Sequence, residues 1–429
     1  MPAMDRSPSE FRRGWRVLVA ASLGVACGAA PIPLYAIGVL AVPITAAFGW
    51  GRADVMLAIL PLTLALVVSV PFIGALADRI GVRPVALGAL AGFGVAWAAL
   101  ALLPGSLAVY YAMWFLVGLV GAGSTPVGWT RGVVGWFVTN RGLALGITLI
   151  GTGLTGLLLP PYAAWLVETV GWRSAFIGMA LLPLGLALPV AWKLFYEAPG
   201  TGPAGSATPP TVESAAGAEQ MASPDGLTLR EAVRNYRLWV LAIVILLVGI
   251  QTAGTVTNFV PLLQDREYST AEAARIAGLI GVSIMFGRLL TGFLIDRFWA
   301  PGIAFPLLVL PAFACIALTG TEVTPTVAVL SAMAVGLAAG AETDLVAFLC
   351  ARYFGLKHYG RIYGLLYAFF ALASGIGPFM FGRAFDLAGN YDLILYLAAG
   401  MVVVGAILLL TMGRYPVYQQ DTAASAARS

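Results

Sequence analysis

Charge is scarce in this chain. Only 10% of its 429 residues are Asp, Glu, Lys or Arg, 60% are hydrophobic, and there is a single histidine. Soluble domains need a polar exterior, so this composition excludes a string of them. Cysteine is nearly absent too. Cys27, Cys315 and Cys350 lie scattered inside apolar runs, which excludes a disulfide framework and metal-ligand spacing and makes them packing residues. The net charge of +4 comes from loop ends rather than a basic patch, so nucleic acid is not an expected partner. Nucleophile elbow, phosphate-binding loop and His/Asp/Glu cluster are all missing. That leaves a polytopic membrane enzyme as a remote alternative, and no cofactor is called for.

What the chain has instead is apolar length. Runs of about 20 apolar residues recur from Trp15 almost to the C-terminus, each sufficient to cross a hydrocarbon core ~30 Å thick as a helix. The 51 glycines suit closely packed membrane helices. Spans are expected at 15–40, 53–77, 84–103, 106–133, 142–166, 174–196, 238–263, 274–296, 301–320, 324–350, 360–387 and 391–413. The expected fold is therefore an all-α polytopic membrane protein, with twelve transmembrane helices in two pseudo-symmetric six-helix bundles. Its parts are an N-terminal tail (1–14), a first bundle (15–196), a linker (197–237), a second bundle (238–413) and a C-terminal tail (414–429). The linker is rich in Pro, Gly, Ala and Ser up to Gly226, a composition without the apolar surface to fold. Its end, Leu227 to Tyr236, has Leu229 and Val233 one turn apart among Arg230, Glu231 and Arg234, which predicts a short helix on the membrane surface.

Charge also orients the chain. Arg6, Arg12, Arg13 and Arg16 precede an apolar stretch too long for a signal peptide and without a clean cleavage site. Kept as a first helix, it holds those arginines in the cytoplasm. With an even number of spans, 17 of the 24 Lys and Arg residues fall on the cytoplasmic side and 5 outside, with Arg131 and Arg288 inside spans. One span added or omitted would scramble that asymmetry. The expected location is the cytoplasmic (inner) membrane, multi-pass, with both termini cytoplasmic and a monomer as the functional unit in the lipid bilayer.

One patch occurs twice. Gly74-Ala-Leu-Ala-Asp78-Arg79-Ile-Gly81-Val-Arg83 and Gly292-Phe-Leu-Ile-Asp296-Arg297 share Gly-x-x-x-Asp-Arg, and each stands between two apolar runs. An internal duplication accounts for this, and duplicated halves are common in secondary transporters. The patch resembles the signature loop of the major facilitator superfamily, between helices 2–3 and 8–9. Further motifs resemble its monocarboxylate-transporter-like branch, bacterial type. These are Ala47-Phe48-Gly49-Trp50, Trp136-Phe137, Asn140-Arg141-Gly-Leu-Ala-Leu-Gly146, Gly171-Trp172-Arg173, Gly287-Arg288, Gly340-Ala-Glu342-Thr-Asp344 and Arg352-Tyr353-Phe354-Gly355. The resemblance implies a secondary active transporter of small organic anions, monocarboxylates, driven by a proton gradient in symport and working by alternating access. The alternative is an efflux carrier for amphipathic organic acids or drugs; the absence of a Gly-Pro-x-x-Gly-Gly cluster in helix 5 counts against it.

The charges divide into gate and site. Asp78, Arg79 and Arg83, with Asp296 and Arg297, are placed to form weak ion pairs that close the cytoplasmic side, with Arg141, Arg352 and Arg361 as counter-charges. Arg288 lies about eight residues, ~12 Å, inside its span, where a guanidinium needs a cavity and partners. Its planar fork matches a carboxylate, and in the branch it resembles the helix-8 arginine binds substrate carboxylate. A fixed ion pair with a neighbouring helix is the alternative. Glu342 and Asp344 stand ~200° apart on a helix, so one faces the pathway and the other packs or stays protonated. Asp344 is the first candidate for proton coupling, a static structural acid being the alternative. Arg131 either reaches the cavity or snorkels to the headgroups. Tyr35, Gln251, Asn258, Tyr367 and Phe370 complete the substrate candidates, with Tyr363 on the same face as the last two. His358 is expected on the surface of the loop between spans ten and eleven. Two positions depart from the branch: Ile284 stands where an acid precedes the helix-8 arginine, and Tyr35 where helix 1 has a lysine. The proton is therefore expected on helix 10.

Overall fold

A computed structural model describes residues 10–137, 141–198, 226–295, 297–320, 322–355 and 357–416, and within them every side chain except those of residues 70, 71, 141, 343 and 344. Asp296 and linker residues 199–225 lie outside this range, as do the side chains of Arg141 and Asp344. The described chain is almost entirely helical, with one isolated bridge, Gly226 to Gly355. The helices are α1 (Glu10–Ala26), α2 (Pro31–Phe48), α3 (Arg52–Met56), α4 (Ile59–Ile80), α5 (Val82–Ala99), α6 (Leu107–Gly121), α7 (Pro126–Val134), α8 (Arg141–Leu181), α9 (Leu188–Leu194), α10 (Leu229–Arg234), α11 (Tyr236–Gln264), α12 (Thr270–Ile295), α13 (Ala300–Ala317), α14 (Pro325–Phe354), α15 (Tyr359–Ala388) and α16 (Asp392–Leu410).

Eleven helical stretches among the described residues are long and apolar enough to cross a membrane. One of them, Gly142–Leu194, has 53 residues and would be ~80 Å long as a single rod, far beyond a ~30 Å core. It is broken at Gly171, whose φ of 80° and ψ of 161° are not helical and suit only glycine. Two crossings thus meet at Gly171, which makes twelve among the described residues.

The chain divides into two compact units, Met1–Ala207 with Ser269–Gly281, and Thr208–Tyr268 with Val282–Ser429. In the first unit the expected span 15–40 is two helices, because the backbone leaves the helix between Ala26 and Pro31. The fourth crossing breaks at the same level, between α6 and α7, where Ala122–Ser124 form a short 3-10 turn. Ser124 joins the two breaks: its hydroxyl accepts the Ala29 N–H at 3.1 Å and donates to the Gly121 carbonyl at 2.7 Å. Non-helical backbone at membrane depth needs such partners, since lipid offers none. Small residues set the spacing elsewhere. A Cβ at Gly118 would meet the Leu62 carbonyl, and one at Gly151 the Ser22 carbonyl, so these helices touch backbone to backbone.

In the second unit α11 packs on α15, with Gly254 beneath the Phe381 ring and Gly377 against the Ile250 carbonyl. The predicted surface helix is α10, a six-residue turn with a capping box: Thr228 and Glu231 bond each other's backbone N–H. It is docked to the end of α14 and the start of α15. Leu227 N–H donates to the Phe354 carbonyl at 2.8 Å, and Leu229 N–H to His358 Nδ1 at 3.3 Å. His358 is thus half-buried and used as an acceptor. The chain after α16 closes the same end: the Tyr415 hydroxyl accepts the Ala300 N–H at 2.9 Å, and Tyr353 donates to the Gly413 carbonyl at 2.6 Å.

Candidate functional site

In the first unit the repeated patch forms the turn between α4 and α5. Gly81 has φ 96°, and the carboxylate of Glu197, just past α9, accepts the Arg83 N–H at 2.9 Å. The Arg83 guanidinium donates to the Trp192 carbonyl at 2.6 Å and lies 4.7 Å over the Tyr196 ring. Asp78 pairs with Arg131 of α7, whose guanidinium also donates to the Gly74 carbonyl at 3.3 Å. Both side chains of the pair are open to the surroundings, 63% and 45% exposed. Arg131 is therefore joined to the patch, while Arg79 is exposed. The Tyr35 ring packs against Gly156 on α8.

Two of the motifs in this unit meet. Phe48 stacks on Trp50 at 4.6 Å and meets Trp172 at 5.6 Å. Arg173 lies 4.4 Å over Trp172 and donates to the carbonyls of Ala101 and Leu103 at 2.9 and 3.0 Å. A cation there binds the turn at Gly171 to the ends of two other crossings.

In the second unit Arg288 is half-buried on α12. Its helix touches α14 around it: a Cβ at Gly287 would meet the Leu337 carbonyl, and one at Gly340 the Ile284 carbonyl and, at 3.1 Å, Arg288 N. Glu342, two residues past Gly340, lies ~200° around α14 and faces α11, where its Oε1 lies beside Gly249 and the carboxyl stands next to the Thr252 hydroxyl one turn on. It is 5% exposed. Asp344 stands on α14 one turn beyond Gly340. Gln251 and Asn258 are both wholly buried. Gln251 donates to Thr255 Oγ1 at 3.1 Å and Cys315 Sγ at 3.6 Å. Asn258 donates to the Gly254 carbonyl at 2.9 Å and accepts from the Tyr391 hydroxyl at 3.3 Å. Their polar atoms are thus engaged inside the unit, and Gln251, rather than Asn258, touches Thr252 beside Glu342.

The aromatic face of α15 runs one turn further than Tyr363. Tyr359, Tyr363, Tyr367 and Phe370 form a ladder with centroid separations of 5.6, 6.3 and 5.8 Å, and Tyr367 is 37% exposed. Arg297 lies over Phe293 at 3.6 Å, Arg352 over Tyr415 at 4.9 Å, and Arg361 is exposed. At the other end of this unit a cavity of about 560 Å³ is rimmed by Asp265, Glu267, Glu322 and Asp392, with Arg266 bound to Asp392 at 3.2 Å. Its acidic rim disfavours an anion.

Sequence reasoning missed Ser124, Glu197, Thr252 and the Cys315 contact. The first had a signal, since Gly121-Ala-Gly-Ser-Thr-Pro126 is a breaker cluster inside an apolar run. A lone threonine beside a glutamine carries none.

Comparison with known proteins agrees with this architecture. The Major Facilitator Superfamily family model matches residues 21–378. Human monocarboxylate transporter 11 is 27% identical over 288 residues, 65% of this chain and 58% of that protein. A gallate transporter of Pseudomonas putida is 27% identical over 289 residues, 57% of this chain and 62% of that protein. The matched part thus spans less than two thirds of either relative. The crystal structure of a bacterial homolog to the human lysosomal transporter Spinster, inward-facing and unoccupied, is similar in fold at a TM-score of 0.64 and 19% identity, over 94% of this chain and 96% of that one. With the family model covering most of its length, this chain belongs to the major facilitator superfamily and is a multi-pass membrane protein.

Proposed function

We propose that this protein is a secondary active carrier of small organic monoanions, of monocarboxylate type, moved together with a proton by alternating access. The observation that carries the reading is Arg288. A guanidinium inside an apolar helix is costly unless it serves a cavity, and it sits where α12 and α14 touch, two residues of α14 away from Glu342. Its fork fits a carboxylate, and relatives named for monocarboxylates and gallate favour such a substrate. Tyr35, Tyr367 and Phe370 are proposed as walls of the site, and Asp344 and Glu342 as the acids that take the proton. The bundles 15–196 and 238–413 are the moving bodies, flanked by the tails and joined by the linker 197–237.

The Asp78–Arg131 pair supports a gate at the patch end of the first unit. Exposed pairs are worth ~0–1 kcal/mol, weak enough to open in each cycle. The Lys/Arg distribution assigns that end to the cytoplasm of an inner membrane, with both termini on the same side. Reconstituted protein is expected to take up a radiolabelled monocarboxylate faster when the outside is more acidic than the lumen. Uptake indifferent to the proton gradient removes the symport reading, and no uptake of any monocarboxylate removes the substrate class.

A further inference from the structure

Glu342 lies on a boundary between two surroundings. On one side the residue lines a cavity of about 20 Å³, otherwise walled by Leu, Ile and Val side chains of α11, α13, α14 and α16, and its Oε1 has no hydrogen-bond partner among the described residues. That is room for one water, but such a water would find a single polar partner where it needs two to four. The carboxyl is therefore not hydrated from that side. On the other side stands a connected set of polar groups. The Thr252 hydroxyl, one turn from Gly249 on α11, stands next to the carboxyl and donates to Gln251 Oε1 at 3.4 Å. Gln251 in turn donates to Thr255 Oγ1 and Cys315 Sγ.

Counting donors decides which form of the acid fits. Thr252 has one hydroxyl proton and two neighbours that accept it. With Glu342 neutral, its O–H donates to Thr252 Oγ1, Thr252 donates to Gln251 Oε1, and both amide protons of Gln251 have acceptors. Every donor in the row is then used, and the acceptor left over is the carboxyl Oε1. With Glu342 ionised, the carboxylate draws the Thr252 proton to itself, and Gln251 Oε1 loses its donor in a buried place. Among the described side chains packed around it none brings an opposing charge. The cavity walls are aliphatic, Cys315 on α13 reaches the acid only through Gln251, and Arg288 belongs to the α12 contact at Gly340, ~200° around α14.

Building on the symport reading above, we infer that Glu342 is the proton-binding group of the second unit and that Thr252 is its positioning residue, whose hydroxyl turns from Gln251 to the carboxylate when the proton leaves. The turn is a two-position device. It loosens the bond between α11 and the Gln251–Cys315 contact with α13 while tightening the bond between α11 and α14. The proton's arrival is thereby felt at three helices, with no group required to conduct it through the row.

Infrared difference spectroscopy of the purified full chain in lipid, during a pH step and without substrate, tests this apart from transport. A carboxylic-acid C=O band is expected in the wild type, lost in Glu342→Gln, moved to higher frequency in Thr252→Val and restored in Thr252→Ser. A band that survives Glu342→Gln, or one that Thr252→Val leaves unmoved, overturns the proposal. In liposomes Thr252→Val is expected to shift the pH at which uptake is half-maximal, and Thr252→Ser to return it. If the band behaves as expected while wild-type uptake ignores the proton gradient, the proton site stands and the symport reading falls.

Discussion

Arg288 and Glu342 could be read from the sequence because a charge inside an apolar run is conspicuous whatever surrounds it. Their orientation could not, because one helix's periodicity fixes angles around its own axis and not which neighbour each angle meets. The contact of Gly340 with α12 and that of Glu342 Oε1 with Gly249 show together that Glu342 turns to α11. The same limit explains Arg131, legible as an intramembrane charge but seen on Asp78 only once α4 and α7 are side by side. At Arg288 the test is the shape of the cation. Lysine keeps the charge and loses the fork, so a bidentate carboxylate loses one charge-assisted bond worth about 1.5–3 kcal/mol. Arg288→Lys is accordingly expected to raise the KM for substrate roughly 10- to 100-fold in liposome uptake. A KM within about twofold of wild type, allowing for an energy difference well under 1 kcal/mol, rules out bidentate binding.

Helices as elements were legible wherever apolar length defined them, and their interruptions only as breaker residues, Pro31 and Pro33 in one run and Gly121 to Pro126 in another. That the two breaks are paired is shown by the hydrogen bond between them and by nothing in the sequence. Glycines separate by what their helices touch. Gly340 has the Ile284 carbonyl where a Cβ would go, whereas Gly292 of the repeated motif has nothing within 4 Å. Overpacking typically costs ~1–3 kcal/mol, and a backbone contact leaves little room to relax. Gly340→Leu is therefore expected to lower the thermal midpoint of the purified protein, while Gly292→Ala leaves it near wild type; equal effects of the two would mean that the α12–α14 contact is not close. The linker helix α10 offers a pH test. Hydrogen bonds from Thr228 backbone and side chain hold the Glu231 carboxyl below its ordinary range. The depressed folded value means that its contribution is present above the unfolded value and is lost as pH falls through the folded one. Amide exchange at residues 228–232, taken relative to Glu231→Gln, should lose its protection on acidification, and a pH-independent ratio would detach the capping box from the stability of α10.

At the scale of the whole chain, composition and the twofold Gly-x-x-x-Asp-Arg patch were enough to indicate two halves of six crossings, because duplication leaves its mark at corresponding places. The limits of the compact units were not legible: the first turns of α12 belong with the first unit, Ser269–Gly281, although sequence assigns the whole helix to the second bundle. A tertiary contact, Gly281 against Gly153 and Leu157 of α8, decides that grouping, and no linear pattern announces it. The number of crossings rests on Gly171. Were Gly142–Leu194 one crossing, everything after it would change sides, and the Lys/Arg asymmetry that orients the chain would be lost. Cysteine labelling distinguishes the two arrangements. The native Cys27, Cys315 and Cys350 are all buried and out of reach of an impermeant reagent, so they can stay, and single cysteines at Lys193, Lys357 and Asn390 report the two faces. With twelve crossings an impermeant maleimide labels Asn390→Cys in intact cells, and Lys193→Cys and Lys357→Cys only after the membrane is opened. Labelling of Lys193→Cys from outside would place α9 on the other face and return the chain to eleven crossings.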